Sequence, residues 1–585
     1  MRKQLLQVFR VGSALCAVLV GGVASAQTCD DKNTVVADVV AIDMPMVFNR
    51  LGAQNVNWQM YALRHDLVVR TPGQPPRPIT DADFAEARKL LSSSQHVTLR
   101  PDLRPRPLTL RVAAGECLRV NFTNLLTRIS NPFEAHKQPL LPDGHPMDQR
   151  SDDPNMDIDD QVASRTVGFH PNGLELVGSI ASDSSHAGAN ATSLVPPGSS
   201  RTYTFFAPAE GSFLVSNPGA AFGGEGTAGT SGTGLFGAVA VQPVGGRAYR
   251  GQVTEEELRL ATRLLGDPAL AGQQVQACTH DAQRACTPSG QPIVHYDALY
   301  PAQSPWVDEG KAGRPILAMQ QVQGGIRKLI HGDVNAIIVG PGKDGSFPRS
   351  TYPLESTGVT NPSLPNRLEP FREFISVFHD ENAAAQAFPG LFEHPVLGHT
   401  LHGVRDAFMI NYGSAGVGAE VVANRLKVGP MHDCVDCAFE EFFLSSFTVG
   451  DPALLVDRPA NLGLEPFTAG ALAGPDLIGV SLDGQLAGGV AKQLGRLADE
   501  LAKRMPGVPL TGPKASKTYY PHDPANVHHS YQGDFVKFRN VHTGKEQHIF
   551  HLHNHQWLYN PNDDNSNYID AQAIGPGSGY TYEIA

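Results

Sequence analysis

The sequence predicts an all-β protein made of tandem β-sandwich domains with a few helical insertions. Two observations carry this. Short alternating or apolar runs recur along the chain between clusters of Gly, Pro, Asn and Asp. One strand-turn-strand unit also occurs twice: Val195-Pro-Pro-Gly-Ser-Ser-Arg-Thr-Tyr-Thr-Phe205 is echoed by Ile574-Gly-Pro-Gly-Ser-Gly-Tyr-Thr-Tyr-Glu-Ile584. His170 precedes the first copy and His551 the second at nearly the same interval, as expected of two copies of one β-domain.

Size and charge bound the function. A chain of 585 residues with 59 Gly and 45 Pro can bury large cores but must break its elements often, which suits roughly three or four domains. The net charge of −12 argues against nucleic acid as a partner. Mean hydropathy is −0.20, and beyond the N-terminus no apolar run approaches the roughly 20 residues of a membrane helix, so no integral membrane segment is expected after signal removal.

The elements follow in order. Residues 1–26 have a basic start (Arg2, Lys3, Arg10), an apolar stretch from Val11 to Val23 and the ending Ala24-Ser25-Ala26, the pattern of a cleaved secretory signal and hence of a periplasmic or secreted protein. Residues 27–245 read as a first sandwich, with strands near 108–112, 117–121, 201–206 and 237–241, and a helix at 81–91 N-capped by Thr80. Residues 246–310 read as a helical connector. There Thr254 and Glu257 form a capping box, Leu258, Ala261, Leu264 and Leu265 give the apolar stripe, and Gly266 and Pro268 end the helix. A second sandwich is expected over 311–455, with a strand at 372–378, and a third over 456–585, with a helix near 486–504 and a strand at 534–539. The glycine-rich stretch 223–234 reads as a loop.

Beyond the leader, Cys29, Cys117, Cys278, Cys286, Cys434 and Cys437 form an even set that favours disulfides in an exported chain, with Cys278 to Cys286 the easiest local pairing. Cys434-Val-Asp-Cys437 fits a structural disulfide first, and a metal or redox pair as alternatives.

The chemistry concentrates in His548-Ile-Phe-His551-Leu-His553-Asn-His555. On one extended strand His551, His553 and His555 would share a face and His548 the other. Converging neutral imidazoles suit Cu, Zn, Fe or Ni.

This segment resembles the third copper motif of the multicopper oxidases, His-x-x-His-x-His within a longer His-Pro-Phe-His-Leu-His-Gly-His pattern. The resemblance implies cupredoxin-like Greek-key sandwiches and copper as cofactor. It implies His548 at a type 1 copper, His551 at a type 2 copper and His553 at a type 3 copper, with His555 less defined. Leu110 to Asn124 resembles the opening of the family's first domain, and Val195 to Gly211 its Pro-Pro-Gly turn and closing strand. Phe378 to Glu381, Ala423 to Cys437 and Glu440 to Ser446 are similar to a bacterial group that includes manganese oxidases. By the same resemblance the reaction couples one-electron oxidation of an organic or Mn(II) reductant to reduction of O2.

Departures from the pattern limit that expectation. The first motif, His-x-His-Gly, falls on His170-Pro-Asn-Gly173, where His170 keeps an imidazole and Asn172 does not. The second falls on Gly211 to Pro218, without a histidine, and a His-Cys-His motif is not found before Ala585. The expectation is copper affinity at an incomplete site with turnover impaired, unless a companion chain or a further C-terminal segment completes it. The alternatives are a cupredoxin-type protein that sequesters or relays copper, or an export protein whose histidines bind nothing. Lesser candidates are His394, His399 and His402; His528 and His529; the acidic loop Asp152, Asp153, Asp157, Asp159 and Asp160; Asp563 and Asp564 as a cation entry; and the His379-Asp380-Glu381 pair.

Overall fold

The computed structural model describes most of residues 29–126, 165–219, 234–355, 365–378 and 528–584, together with two-residue strands at Phe467–Thr468 and Pro509–Leu510. Described strands far outnumber helices, so the all-β class holds.

The first sandwich begins with β1 (Thr34–Asp43) and β2 (Gln59–Leu63), which pair antiparallel. β3 (Leu108–Ala113) and β4 (Cys117–Asn124) follow, then β5 (His170–Pro171), β6 (Ser200–Phe206), β7 (Gly211–Ser216) and β8 (Gly237–Gln242). β4 lies parallel to β1 and antiparallel to β6, while β5, β7, β8 and β3 form the facing sheet. A disulfide joins Cys29 to Cys117 at the start of β4, with a Cα separation of 5.8 Å.

The later strands are β9 (Arg247–Arg250), β10 (Ile326–Leu329), β11 (Asn335–Val339), β12 (Phe371–Phe378), β13 (Val536–His542), β14 (His548–His551), β15 (Ala571–Ile574) and β16 (Gly579–Ile584). β9, β11, β12, β13 and β16 lie side by side in one sheet, and β10 joins the first sandwich parallel to β1.

The internal echo is structural. β12 runs parallel to β13 and β13 antiparallel to β16, repeating the order of β1, β4 and β6. The turns match too: Gly198 N–H donates to Asn124 O at 2.7 Å, and Gly577 N–H to His542 O at 3.0 Å. Both glycines carry positive φ, +82° and +75°, which a side chain adopts only with strain. Register then equates Val167, bridged to Val195, with His548, paired to Ile574. His170 is therefore the counterpart of His551, Asn172 of His553 and Asn124 of His542.

Several strands serve two cores, which explains their nearly unbroken apolar runs. On β1, Val35, Ala37, Val39 and Ala41 pack inside the first sandwich, while Val40 and Ile42 point the other way. On β8, Val239 and Val241 join the first group, and Ala238 and Ala240 the second. That second core also holds Ile375, Val377 and Val541, so the first sandwich and the later sheet share it.

Polar groups are sealed into the same seam. Glu373 accepts from Arg111 Nε at 2.9 Å and from Arg539 Nε at 3.1 Å. Glu210 accepts from Arg539 and from Lys537, both at 2.7 Å. Glu583 then faces Lys537 at 3.0 Å and Arg367 at 2.7 Å. Burial alone would raise the Glu210 carboxyl, but Lys537 and Arg539 outweigh it and hold it below its ordinary range. Closeness is extreme at Gly579, where a Cβ would lie 2.6 Å from Ser212 O.

Helix expectations divide. Helix α1 (Asp81–Leu90) starts at Thr80 as expected, with Asp83 N–H donating to Thr80 Oγ1. Helix α2 (Glu255–Ala261) has both arms of the Thr254 and Glu257 capping box. It ends at Ala261, before the expected stripe is complete. Leu264 and Leu265 lie beyond it at 54% and 44% exposure, because the chain there turns to backbone pairing with Arg284 and Gln283. The Cys278 to Cys286 disulfide is formed. The signal segment, residues 152–160 and 223–233, the His379 to Glu381 pair, His394, His399, His402, the 423–446 region, the expected helix at 486–504 and Asp564 lie outside the described residues.

Candidate metal centre

The histidine segment enters as β14, paired antiparallel to β15 with His548 opposite Ile574 and His551 opposite Ala571. The strand stops there, correcting the expectation of one extended strand to His555. Asn554 adopts φ +62° and His555 N–H donates to Leu552 O at 3.3 Å, so His553 and Asn554 form a turn. His551 and His553 nevertheless stay together, with ring centroids 4.8 Å apart. Both rings are exposed, and Ile549 between the histidines is 71% exposed.

Hydrogen bonding fixes which nitrogen each ring presents. His551 Nδ1 lies 2.7 Å from Asp570 O, and a carbonyl can only accept, so Nδ1 carries the proton and Nε2 keeps its lone pair. His170 repeats this, with Nδ1 2.8 Å from Asp183 O. His555 Nδ1 binds His553 O at 2.8 Å. Orienting one ring nitrogen through a backbone carbonyl is how metal-binding histidines are commonly held.

His548 stacks on His542 with centroids 5.3 Å apart, and His542 is fully buried against Phe378. Sequence reasoning missed His542. Aligning the two turns finds it, since it occupies the place of Asn124, whose amide donates to Arg165 O and Val195 O. Asn172 donates to Ser216 Oγ at 3.2 Å and offers no imidazole.

Among the described residues, no three His, Cys, Asp or Glu side chains converge as a metal-holding group. The histidines stand as the pairs His551 with His553 and His542 with His548, and His170 is held in the first copy. The lone pairs at His551 and His170 are of the donor type copper accepts. His528 serves packing: its half-buried ring stacks on Phe374 at 4.4 Å, and burial followed by the neighbouring His529 push its pKa down to about 3. Asp563 accepts from Asn565 N–H within its own turn.

No protein-family model matches the chain, and no curated protein matches it. Among solved structures, the chain is similar to a multi-copper oxidase from Pseudomonas thermotolerans at 15% identity and TM-score 0.18, over 37% of this chain and 30% of that one. It is similar to a copper nitrite reductase from Nitrosomonas europaea at 9% identity and TM-score 0.26, over 94% and 84% of the two chains. A further multicopper oxidase aligns at 10% identity and TM-score 0.29, over 94% and 79%. All three TM-scores lie far under 0.5.

Proposed function

We propose that this chain is an exported copper-binding oxidoreductase, coupling one-electron oxidation of an organic or Mn(II) donor to reduction of O2. The observation that carries it is the matched orientation of His170 and His551. At equivalent positions of two repeats, each commits Nδ1–H to a backbone carbonyl and keeps Nε2 available. Copper, when bound, supplies the one-electron chemistry that the protein's own side chains lack. His551 and His553 would hold it, with His548, His555 and His170 as further ligands. The Asp570 and Asp183 carbonyls keep the rings in the donor tautomer. Export is supported by the disulfides Cys29 to Cys117 and Cys278 to Cys286, which persist in oxidising compartments. No helix among the described residues is long and apolar enough to cross a membrane.

The pairwise grouping favours a second reading, a protein that holds or relays copper without oxidase turnover. Copper loading of the full chain, followed by metal analysis, EPR and O2 consumption with a phenolic donor or Mn(II), separates the two. Bound copper with O2 uptake supports the first reading, and bound copper without uptake the second. A chain that stays metal-free after loading defeats both.

A further inference from the structure

A cavity of about 410 Å³, lined by no residue of the histidine segment, lies between the β2 edge of the first sandwich and the segments 250–257, 300–314 and 330–333. That volume is within the range of small-molecule sites. Met60, Leu63, Leu103 and Leu108 give it an apolar side, and Tyr300 and Trp306, with ring centroids 5.0 Å apart, give it an aromatic one.

Six carboxylates and five cations line it, and all of them are ion-paired except one cation. Asp66 pairs with Arg100, Asp102 with Arg100 and Lys311, Glu309 with Lys311, Glu257 with Arg250, and Asp333 with Arg250 and Arg106. Glu256, exposed at the rim, pairs with Arg259. Arg314 also lines the cavity, and its hydrogen bond is to the backbone, Nη1 to His65 O at 3.3 Å. Among the described residues no carboxylate lies within ion-pair distance of it. Its guanidinium is pushed down from its ordinary pKa, first by burial, with nearby Asp66 offsetting this in part and Arg100 adding to it. A half-buried guanidinium with no carboxylate in contact, beside an apolar and aromatic wall, can receive an anion that carries an apolar body.

We propose that this cavity binds a small aromatic carboxylate, its carboxylate on the Arg314 guanidinium and its ring against Trp306. The planar fork of Arg314 matches a carboxylate, and the indole, which Lys311 Nζ approaches to 5.5 Å from its centroid, offers the ring its remaining surface. No residue of this site belongs to the proposed copper site, so the inference stands or falls separately.

The test is titration of the full-length chain with benzoate, followed calorimetrically, alongside Arg314→Gln, Trp306→Leu and the neutral analogue benzyl alcohol. The expected result is saturable 1:1 benzoate binding, weakened at least about tenfold by either substitution and by loss of the carboxylate. Thermal melting without ligand checks that each variant remains folded. If Arg314→Gln does not fold, Arg314→Lys replaces it, and the loss of fork geometry must still weaken binding several-fold. Failure of benzoate to bind the wild-type chain, equal binding by the folded Arg314 variant, or equal binding of benzyl alcohol overturns the proposal.

Discussion

Glu373→Gln should be among the most damaging single changes in this chain. Glu373 is 0% exposed and accepts from Arg111 at 2.9 Å, Arg539 at 3.1 Å and Gln242 at 3.0 Å. Its replacement leaves Arg111, Arg539, Lys537 and Arg367 facing only Glu210 and Glu583 in a sealed seam. A unit pair at contact distance contributes about 4 kcal/mol at an effective dielectric of 20, and breaking a buried pair from one side costs about 3–5 kcal/mol. The amide keeps the shape and some hydrogen bonds, so about 3 kcal/mol is the expected loss in urea unfolding at pH 7. It should persist at 1 M salt, because buried charges are poorly screened. The control is Glu256→Gln, whose partner Arg259 is 40% exposed and which should cost under about 1 kcal/mol. Glu373→Gln within about 1 kcal/mol of wild type, or a loss abolished by salt, would refute the view that these charges hold the two halves together.

Further outcomes follow from other residues. Gly579→Ala places a methyl 2.6 Å from Ser212 O, and should lower stability by about 1–3 kcal/mol without altering the turn at Gly577, read by denaturant midpoint. His551→Ala should lower copper stoichiometry or affinity at least about tenfold, measured by metal analysis after dialysis, whereas His528→Phe should leave it unchanged. Two half-buried histidines, His331 and His528, set an acid limit. Burial and then Arg250 push His331 down to about 4, while burial and then His529 push His528 down to about 3, against 6.5 when unfolded. The unfolded chain therefore takes up more protons as pH falls below 6.5. Stability is complete above that value and is lost towards pH 4 and 3, by about 2 kcal/mol per histidine at pH 5. Melting curves at pH 7.5 and 5 should show a shallower fall in His528→Phe; an identical fall would sink the assignment.

Much of the sandwich was legible because local pattern and tertiary demand agree. The turns at Gly198 and Gly577 need positive φ, and the sequence places glycine at both. The two capped helix starts are local hydrogen-bond chemistry and were equally visible. What escaped was decided by distant partners. Lys537, Arg539 and Glu373 sit on strands yet are buried, since they find counter-ions far along the chain, Glu210 for the first two and Arg111 for the third. His542 was hidden for a related reason, since its significance comes from the turn it shares with Asn124. The histidines were conspicuous as a cluster, but the turn at Asn554 that ends their strand was not. A single left-handed residue overrides an alternation that would otherwise continue.

The position of β1 has a consequence for assembly. It lies between β4 and β10, parallel to both, with Val35 opposite Leu118 on one side and Arg327 on the other. The first sandwich thus cannot finish its sheet until residues near 327 exist, and no short hairpin can stand in for those parallel neighbours. β2 covers Val39 to Asp43 early, so the stretch at Val35 and Val36 is what waits for β10, a short template for wrong pairing. Completion should therefore be slow, governed by long-range closure rather than by local structure. An antibody or peptide that recognises the uncovered Val35–Val36 stretch of β1 would distinguish incomplete chains from finished ones.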